Sequence, residues 1–270
     1  MRREYDIVAS RPVVRQHAGV PSVEQEVQFQ IDLAAAEYLT VLARLHALLR
    51  PKTYLEIGTR SGDSLKLAQC ASVAVDPAFS ISADTIGAKP SCHFYQTTSD
   101  RFFERCCITE TLGGAVELAY LDGMHLAEFL LRDFTNVEHV CKRNSVVVIH
   151  DCMPSDVYMT CRYEGDEAAR SRSCYPDWWT GDVWKTVWAL KQYRPDLKIT
   201  AIDSPPTGLI CVTNLDPGSH VLEKQYASIV TEMTALGESN KALQDYLASL
   251  SPISPSEIAT FEQISEYFYM

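Results

Sequence analysis

The chain has 270 residues, 46% hydrophobic and 22% charged, which is enough to bury a full core without covalent staples. Its 24 Lys and Arg stand against 35 Asp and Glu, a formal net charge of -11, so it lacks the basic excess of a phosphate-backbone binder. No apolar run reaches the ~18 residues of a membrane span. The opening MRREYDIVASRP lacks a signal peptide's apolar stretch, and nine Cys without a CxxC pair read as free thiols of a cytoplasmic protein.

Residues 1–21 read as a polar arm or lid. Apolar residues at spacings of three and four then predict a long amphipathic helix over 22–50, with Ser22 and Gln25 as a capping box and Pro51 as a stop. From there short strands alternate with helices. Strands are expected at Thr53–Ile57, Val73–Val75, Phe94–Thr97, Val116–Leu121 and Ser145–Ile149, with helices over 62–70, 100–107 and 125–141. The apolar SVVVI segment has no alternation, so both its faces should be covered. This rhythm implies a parallel sheet with helices on both sides.

Residues 152–181 have no clear period and read as a functional lid or a disordered segment. A helix over 182–193 follows, with Thr180 as N-cap and Asp182 in its first turn. Strands Lys198–Ile202 and Gly208–Thr213 are joined by too few residues for a crossover helix, so they should be antiparallel. Residues 219–250 predict one or two helices with a break at Gly237, and Ser254 starts a last short one. The chain divides as an arm and cap helix (1–50), an α/β domain (51–215) and a helical extension (216–270). The apolar faces outside the sheet could also make a homodimer.

The sharpest motif is Tyr54-Leu-Glu-Ile-Gly-Thr-Arg-Ser-Gly-Asp-Ser64, on the first strand-to-helix turn. Gly58 and Gly62 permit a tight turn and close approach to a ligand at the carboxyl edge of the sheet. Asp76 follows Glu56 by twenty residues and ends the second strand, where a carboxylate can accept both ribose hydroxyls. A dinucleotide would need G-x-G-x-x-G. A carboxylate two residues before the first glycine instead suits a cationic ligand without phosphate, such as S-adenosyl-L-methionine.

Glu56-x-Gly58-x-x-x-Gly62, Asp76 and the acidic residue after the fourth strand resemble the class I S-adenosylmethionine-dependent methyltransferases, over about residues 53–214. The strings Asp122-Gly-Met-His125, Ile149-His-Asp-Cys-Met-Pro154 and Trp179-Thr-Gly-Asp-Val-Trp-Lys185 resemble bacterial members that modify small molecules and glycans. The resemblance implies a Rossmann-like, doubly wound, mostly parallel seven-stranded sheet with an antiparallel last strand. It also implies that Glu56, Gly58 and Gly62 line the methionine end of the cofactor, with Thr59 and Ser64 further cofactor-binding residues. Asp76 should hold the ribose, Ser99 and Asp100 should lie near the adenine, and Asp122 should lie between cofactor and acceptor.

Asp122, His125, His150 and Asp151 form the reactive set, because neighbouring parallel strands bring their carboxyl ends together. Methyl transfer needs an aligned acceptor and a base, with His150 the first candidate and His125 the second. Asp122, His150 and Asp151 also form a candidate divalent-metal set, with the imidazole favouring Mn²⁺, Fe²⁺ or Zn²⁺ over Mg²⁺. Trp178 and Trp179 are candidates for stacking an acceptor ring or sugar, and Lys185 for neutralising an acidic one. Asp133 reads as a solvated helix charge. The expected activity is O-methylation of a small molecule or sugar. N-methylation, a nicotinamide-dependent oxidoreductase and a non-catalytic nucleotide-binding scaffold are the alternatives.

Overall fold

The computed structural model describes residues 33–270. Its strands are β1 (Thr53–Ile57), β2 (Ala71–Val75), β3 (Cys92–Tyr95), β4 (Val116–Leu121), β5 (Cys141–His150), β6 (Lys198–Ile202) and β7 (Leu209–Thr213). Its helices are α1 (Tyr38–Leu49), α2 (Ser99–Arg105), α3 (Ile108–Leu112), α4 (Ala127–Val140), α5 (Glu167–Arg170), α6 (Trp184–Tyr193), α7 (Val221–Ala235), α8 (Asn240–Ser249) and α9 (Phe261–Tyr267).

The strands make one seven-stranded sheet in the order β3-β2-β1-β4-β5-β7-β6. β1 to β5 run parallel, and β7 lies antiparallel between β5 and β6. This is the doubly wound, mostly parallel sheet the sequence predicts, with its last strand reversed. Strand order turns back between β1 and β4, which places the crevice of this architecture at their carboxyl ends.

Alternate strand residues feed two cores. Leu55, Ile57, Val73, Ala119, Leu121, Val147 and Ile149 pack beneath α2, α3, α4, α6, α7 and α8. Tyr54, Ala74, Leu118, Tyr120, Val146 and Val148 pack beneath α1 and α9. β1 and β7 are buried at every residue, which is why neither strand shows alternation in sequence.

Three expectations need correction. The helix over 62–70 is only a 3₁₀ turn at Leu65–Leu67. Residues 62–64 are bend and turn and the chain is extended again at Ala68, so the crossover from β1 to β2 carries no α-helix. In the described part of the 22–50 helix, residues 33–37 are not helical. Their backbone is taken by a neighbouring loop: Ala34 and Ala35 N–H donate to Asp203 Oδ1, and Tyr38 N–H donates to the Pro205 carbonyl. The proposed Ser22–Gln25 cap and the arm lie outside the described residues. Finally, Thr180 does not cap α6, which begins at Trp184 behind Val183 without a side-chain cap. Within 152–181 a 3₁₀ turn at Val157–Thr160 and the single turn of α5 interrupt the loop. Among the described residues, no helix is long and apolar enough to cross a membrane.

Candidate active site

The tips of β1, β2 and β4 are laced together by backbone bonds. Gly58 N–H donates to the Val75 carbonyl and Asp122 N–H to the Ile57 carbonyl, each at 2.9 Å. Gly58 has φ +87°, and a Cβ there would lie 1.9 Å from the Asp122 carbonyl oxygen. Only glycine permits both the conformation and the approach. The turn therefore brings the β1 side of the crevice against the backbone of Asp122 and Gly123.

Two carboxylates stand at this turn. Glu56 is fully buried, with Tyr54 OH donating to Oε2 at 2.6 Å and Ser64 Oγ to Oε1 at 3.0 Å. Burial pushes its carboxyl up to about 7, against the hydrogen bonds from Tyr54 and Ser64. Asp76 ends β2 and accepts from Arg60 N–H and Ala78 N–H, both at 2.7 Å. Thr59 is buried between them in the chain, and Gly62 lies against the Thr85 methyl. That contact belongs to the 77–91 loop, which folds over the turn: Ser80 and Ser82 N–H donate to the Arg60 and Ser61 carbonyls.

The reactive set meets where β4 and β5 end. His150 Nδ1 lies 3.3 Å from Asp122 Oδ1 and 3.4 Å from Asp151 Oδ1. His125 Nε2 lies 3.5 Å from Asp122 Oδ1 and 3.3 Å from Asp151 Oδ2. Asp151 has φ +59°, a left-handed conformation that Asp tolerates better than most residues. Burial alone would depress the imidazoles. The Asp151 and Asp122 carboxylates outweigh it and raise His125 to about 9 and His150 to about 10. Burial would likewise raise Asp122 and Asp151, but the imidazoles hold both below the usual carboxylate range.

The Trp179-Thr-Gly-Asp segment aims His125. The Trp179 ring stacks on His125 with centroids 4.9 Å apart, and the Trp179 carbonyl lies 3.1 Å from His125 Nδ1. A carbonyl accepts only, so Nδ1 carries a proton and Nε2 faces the carboxylates. Gly181 has φ +58°, and a Cβ there would meet the His125 carbonyl oxygen at 1.7 Å. Asp182 Oδ1 accepts from Ala127 N–H at 2.9 Å, so it caps α4, which follows His125, and not its own helix.

Other sequence candidates make their contacts outside the His/Asp cluster. Trp178 stacks on Tyr175 at 4.4 Å. Lys185 is buried against Asp182 and borders a 500 Å³ cavity with Arg162, Thr234 and Glu238, apart from the His/Asp cluster. Asp100 pairs bidentately with Arg132, which also bonds Tyr226. Asp133 is not solvated: it is 3% exposed, and burial pushes its carboxyl up to about 7 against a hydrogen bond from Ser99.

Sequence reasoning missed several neighbours of the cluster, Tyr38, Thr207 and Tyr120 among them. Tyr38 packs its ring on His150 with centroids 4.3 Å apart, and Thr207 Oγ1 donates to Asp151 Oδ1 at 2.5 Å. Tyr38 looks like one more apolar position in a helical stripe, so no signal marked it. Thr207 ends the Pro-Pro joint between β6 and β7, and that tight joint was the one available hint.

An O-methyltransferase from Bacillus cereus solved in complex with SAH is 15% identical, with 67% of this chain and 83% of that chain covered and a TM-score of 0.47. The O-methyltransferase TomG from Streptomyces achromogenes, involved in tomaymycin synthesis and solved with SAM, is 16% identical, with 67% and 82% covered and a TM-score of 0.45. No curated protein matches the sequence. The family model described as a methyltransferase domain matches residues 55–152, a span that runs from β1 to just past the end of β5.

Proposed function

We propose that the protein transfers a methyl group from S-adenosylmethionine to a hydroxyl of a small molecule or sugar. The observation that carries this reading is the meeting, at one sheet edge, of an acid-flanked glycine turn and a His/Asp cluster. The donor set fits the cofactor. Glu56 and Asp76 offer carboxylates to an ammonium group and a ribose diol, and neither forms a salt bridge among the described residues. The cofactor, when bound, supplies an electrophilic methyl group.

The chain supplies alignment and proton transfer. Trp179 stacked on His125 and Tyr38 on His150 give aromatic walls, and Asp122 links the turn to the cluster by its backbone against Gly58 and its carboxylate beside both histidines. The carboxylates keep both imidazoles protonated at neutral pH. The cluster can therefore accept a proton from a hydroxyl only after giving one up. In a metal-free site that happens as pH rises toward about 9, through His125, the more exposed of the two.

A second reading replaces that proton with a cation. Donor atoms of Asp122, His125 and Asp151 lie within 4.8 Å of one another, so His125 joins His150 as a ligand candidate beside the two carboxylates. Two oxygens and one imidazole suit Mn²⁺, Fe²⁺ or Zn²⁺. Such an ion would polarise an acceptor hydroxyl.

The test is calorimetric titration with S-adenosylmethionine and S-adenosylhomocysteine, with and without EDTA, followed by an acceptor screen that detects S-adenosylhomocysteine release. Binding of both nucleotides supports the reading. Binding of neither, or of a nicotinamide cofactor instead, overturns it. Activity that rises above neutral pH and ignores EDTA favours the metal-free site, and loss with EDTA favours the cation.

A further inference from the structure

A second set of metal-type donors lies where the last turn of α4 meets the start of α7. His139 is in the last turn of α4. His220 immediately precedes α7 and Glu223 sits in its first turn. These two are three residues apart, so their side chains leave one helical face. Glu223 spans both rings: Oε1 is 2.9 Å from His139 Nε2 and Oε2 is 2.5 Å from His220 Nδ1. The ring centroids are 5.2 Å apart, and one donor atom from each of the three residues falls within 4.8 Å of the others.

The orientation is fixed from behind. His139 Nδ1 lies 2.8 Å from the Pro217 carbonyl oxygen and Nε2 lies 2.9 Å from Glu223 Oε1, both acceptors only; a metal ion would displace the Nε2 proton, and Nδ1–H stays on Pro217 while Nε2 turns its lone pair to the ion. Histidines that bind metals are prepared in this way, with one nitrogen donating to a backbone carbonyl and the other free to ligate. The turn that carries Pro217 is pinned in its own right. Asp216 N–H donates to Glu138 Oε1 at 3.0 Å, and Glu138 is buried in a two-pronged pair with Arg194 at 2.6 and 2.9 Å. Gly218 N–H returns to Asp216 Oδ1 at 3.1 Å. The donors thus sit on two helix ends and an anchored turn.

We propose that His139, His220 and Glu223 bind one divalent transition-metal ion, with Zn²⁺ the best fit and a fourth position left to water. Two imidazoles and one carboxylate match zinc, whereas Mg²⁺ and Ca²⁺ prefer oxygen throughout. His139 is twelve residues along α4 from Ala127, so the site lies about 18 Å from the helix end beside His125. At that distance the ion fastens α7 to α4 and takes no part in chemistry at the sheet edge. The proposal does not depend on the methyl-transfer reading.

The experiment titrates the full chain, stripped with EDTA, with Zn²⁺ alone by calorimetry and with Co²⁺ by visible absorption. An Asp151→Asn background removes a donor of the other cluster. This background should take up one zinc equivalent, give the intense bands of tetrahedral Co²⁺ and melt higher with zinc. Adding His220→Asn or Glu223→Gln should weaken uptake at least about tenfold and remove the rise in Tm. Both side chains are largely exposed, and far-UV circular dichroism checks that the fold survives. In the unaltered chain, zinc should also slow diethyl pyrocarbonate modification of His139 and His220. No uptake in the Asp151→Asn chain, unchanged uptake after His220→Asn, or no protection of either histidine would overturn the proposal.

Discussion

On the proposed cofactor reading, Glu56 should set the pH dependence of S-adenosylmethionine binding. Its carboxyl is raised to about 7 because burial outweighs the Tyr54 and Ser64 hydrogen bonds. Below pH 7 it is neutral, and a cationic ligand must then expel its proton. Affinity for S-adenosylmethionine should therefore rise about tenfold per pH unit below 7 and level off above it. Calorimetry in two buffers of different ionisation heat should detect the released proton at pH 6.5. Glu56→Gln should flatten this profile and weaken binding roughly 10- to 100-fold. Unchanged proton release in the variant would assign the titration to another group. Gly181 makes a different demand, since its contact is with the His125 backbone and no flexible side chain can yield. Gly181→Ala should destabilise the fold by roughly 2–4 kcal/mol in denaturant unfolding, and a loss below 0.5 kcal/mol would mean that the segment relaxes easily.

At the scale of elements, α4 joins much of the site. Asp182 caps its first turn, and Asp133 faces Ser99 and Gly123 from its middle. Asp133 is raised to about 7, above the unfolded value, so the folded state binds its proton more tightly than the unfolded chain does. Its contribution is present below pH ~4, is lost as pH rises from there to about 7 and stays lost above. Asp133→Asn should remove that slope and raise stability at pH 8 by about 1–3 kcal/mol, as read from urea midpoints at pH 5 and pH 8. An Asn variant that is less stable at both pH values would show that the carboxylate is needed.

The element scale also separates what was legible in sequence from what was not. β1 to β7, the reversed last strand and the convergence of Asp122, His125, His150 and Asp151 followed from local runs and strand ends, because a parallel sheet fixes where strand ends meet. Asp133 was misread because helical periodicity reports one stripe only, and its environment is supplied by α2 and the β4 tip. Asp182 was misassigned because a cap can serve a helix fifty residues away, and Thr180 because its hydroxyl donates to the Met159 and Gly181 carbonyls, neither of which a local pattern encodes. Tyr38 reached the site only through the folding of α1 across the sheet edge.

For the whole molecule, the start of the described chain is strapped to the active edge. Asp203 Oδ1 accepts from Ala34 and Ala35 N–H at 3.1 and 3.4 Å, and Ser204 Oγ donates to the Ala36 carbonyl at 2.8 Å. Tyr38 N–H then bonds the Pro205 carbonyl, and the Tyr38 ring reaches His150. The same 203–207 joint holds Thr207 on Asp151, so one short connection positions both a wall of the site and a carboxylate within it. Asp203→Ala removes the acceptor of two backbone N–H groups without touching the cluster. It should cost about 1–2 kcal/mol and speed proteolytic cleavage within residues 33–37, while leaving α9 protected. His150 reports whether the strap acts on the site. Its imidazole signals should shift by NMR in Asp203→Ala as the Tyr38 ring leaves its face, and signals that do not move would mean that α1 holds Tyr38 in place without the strap.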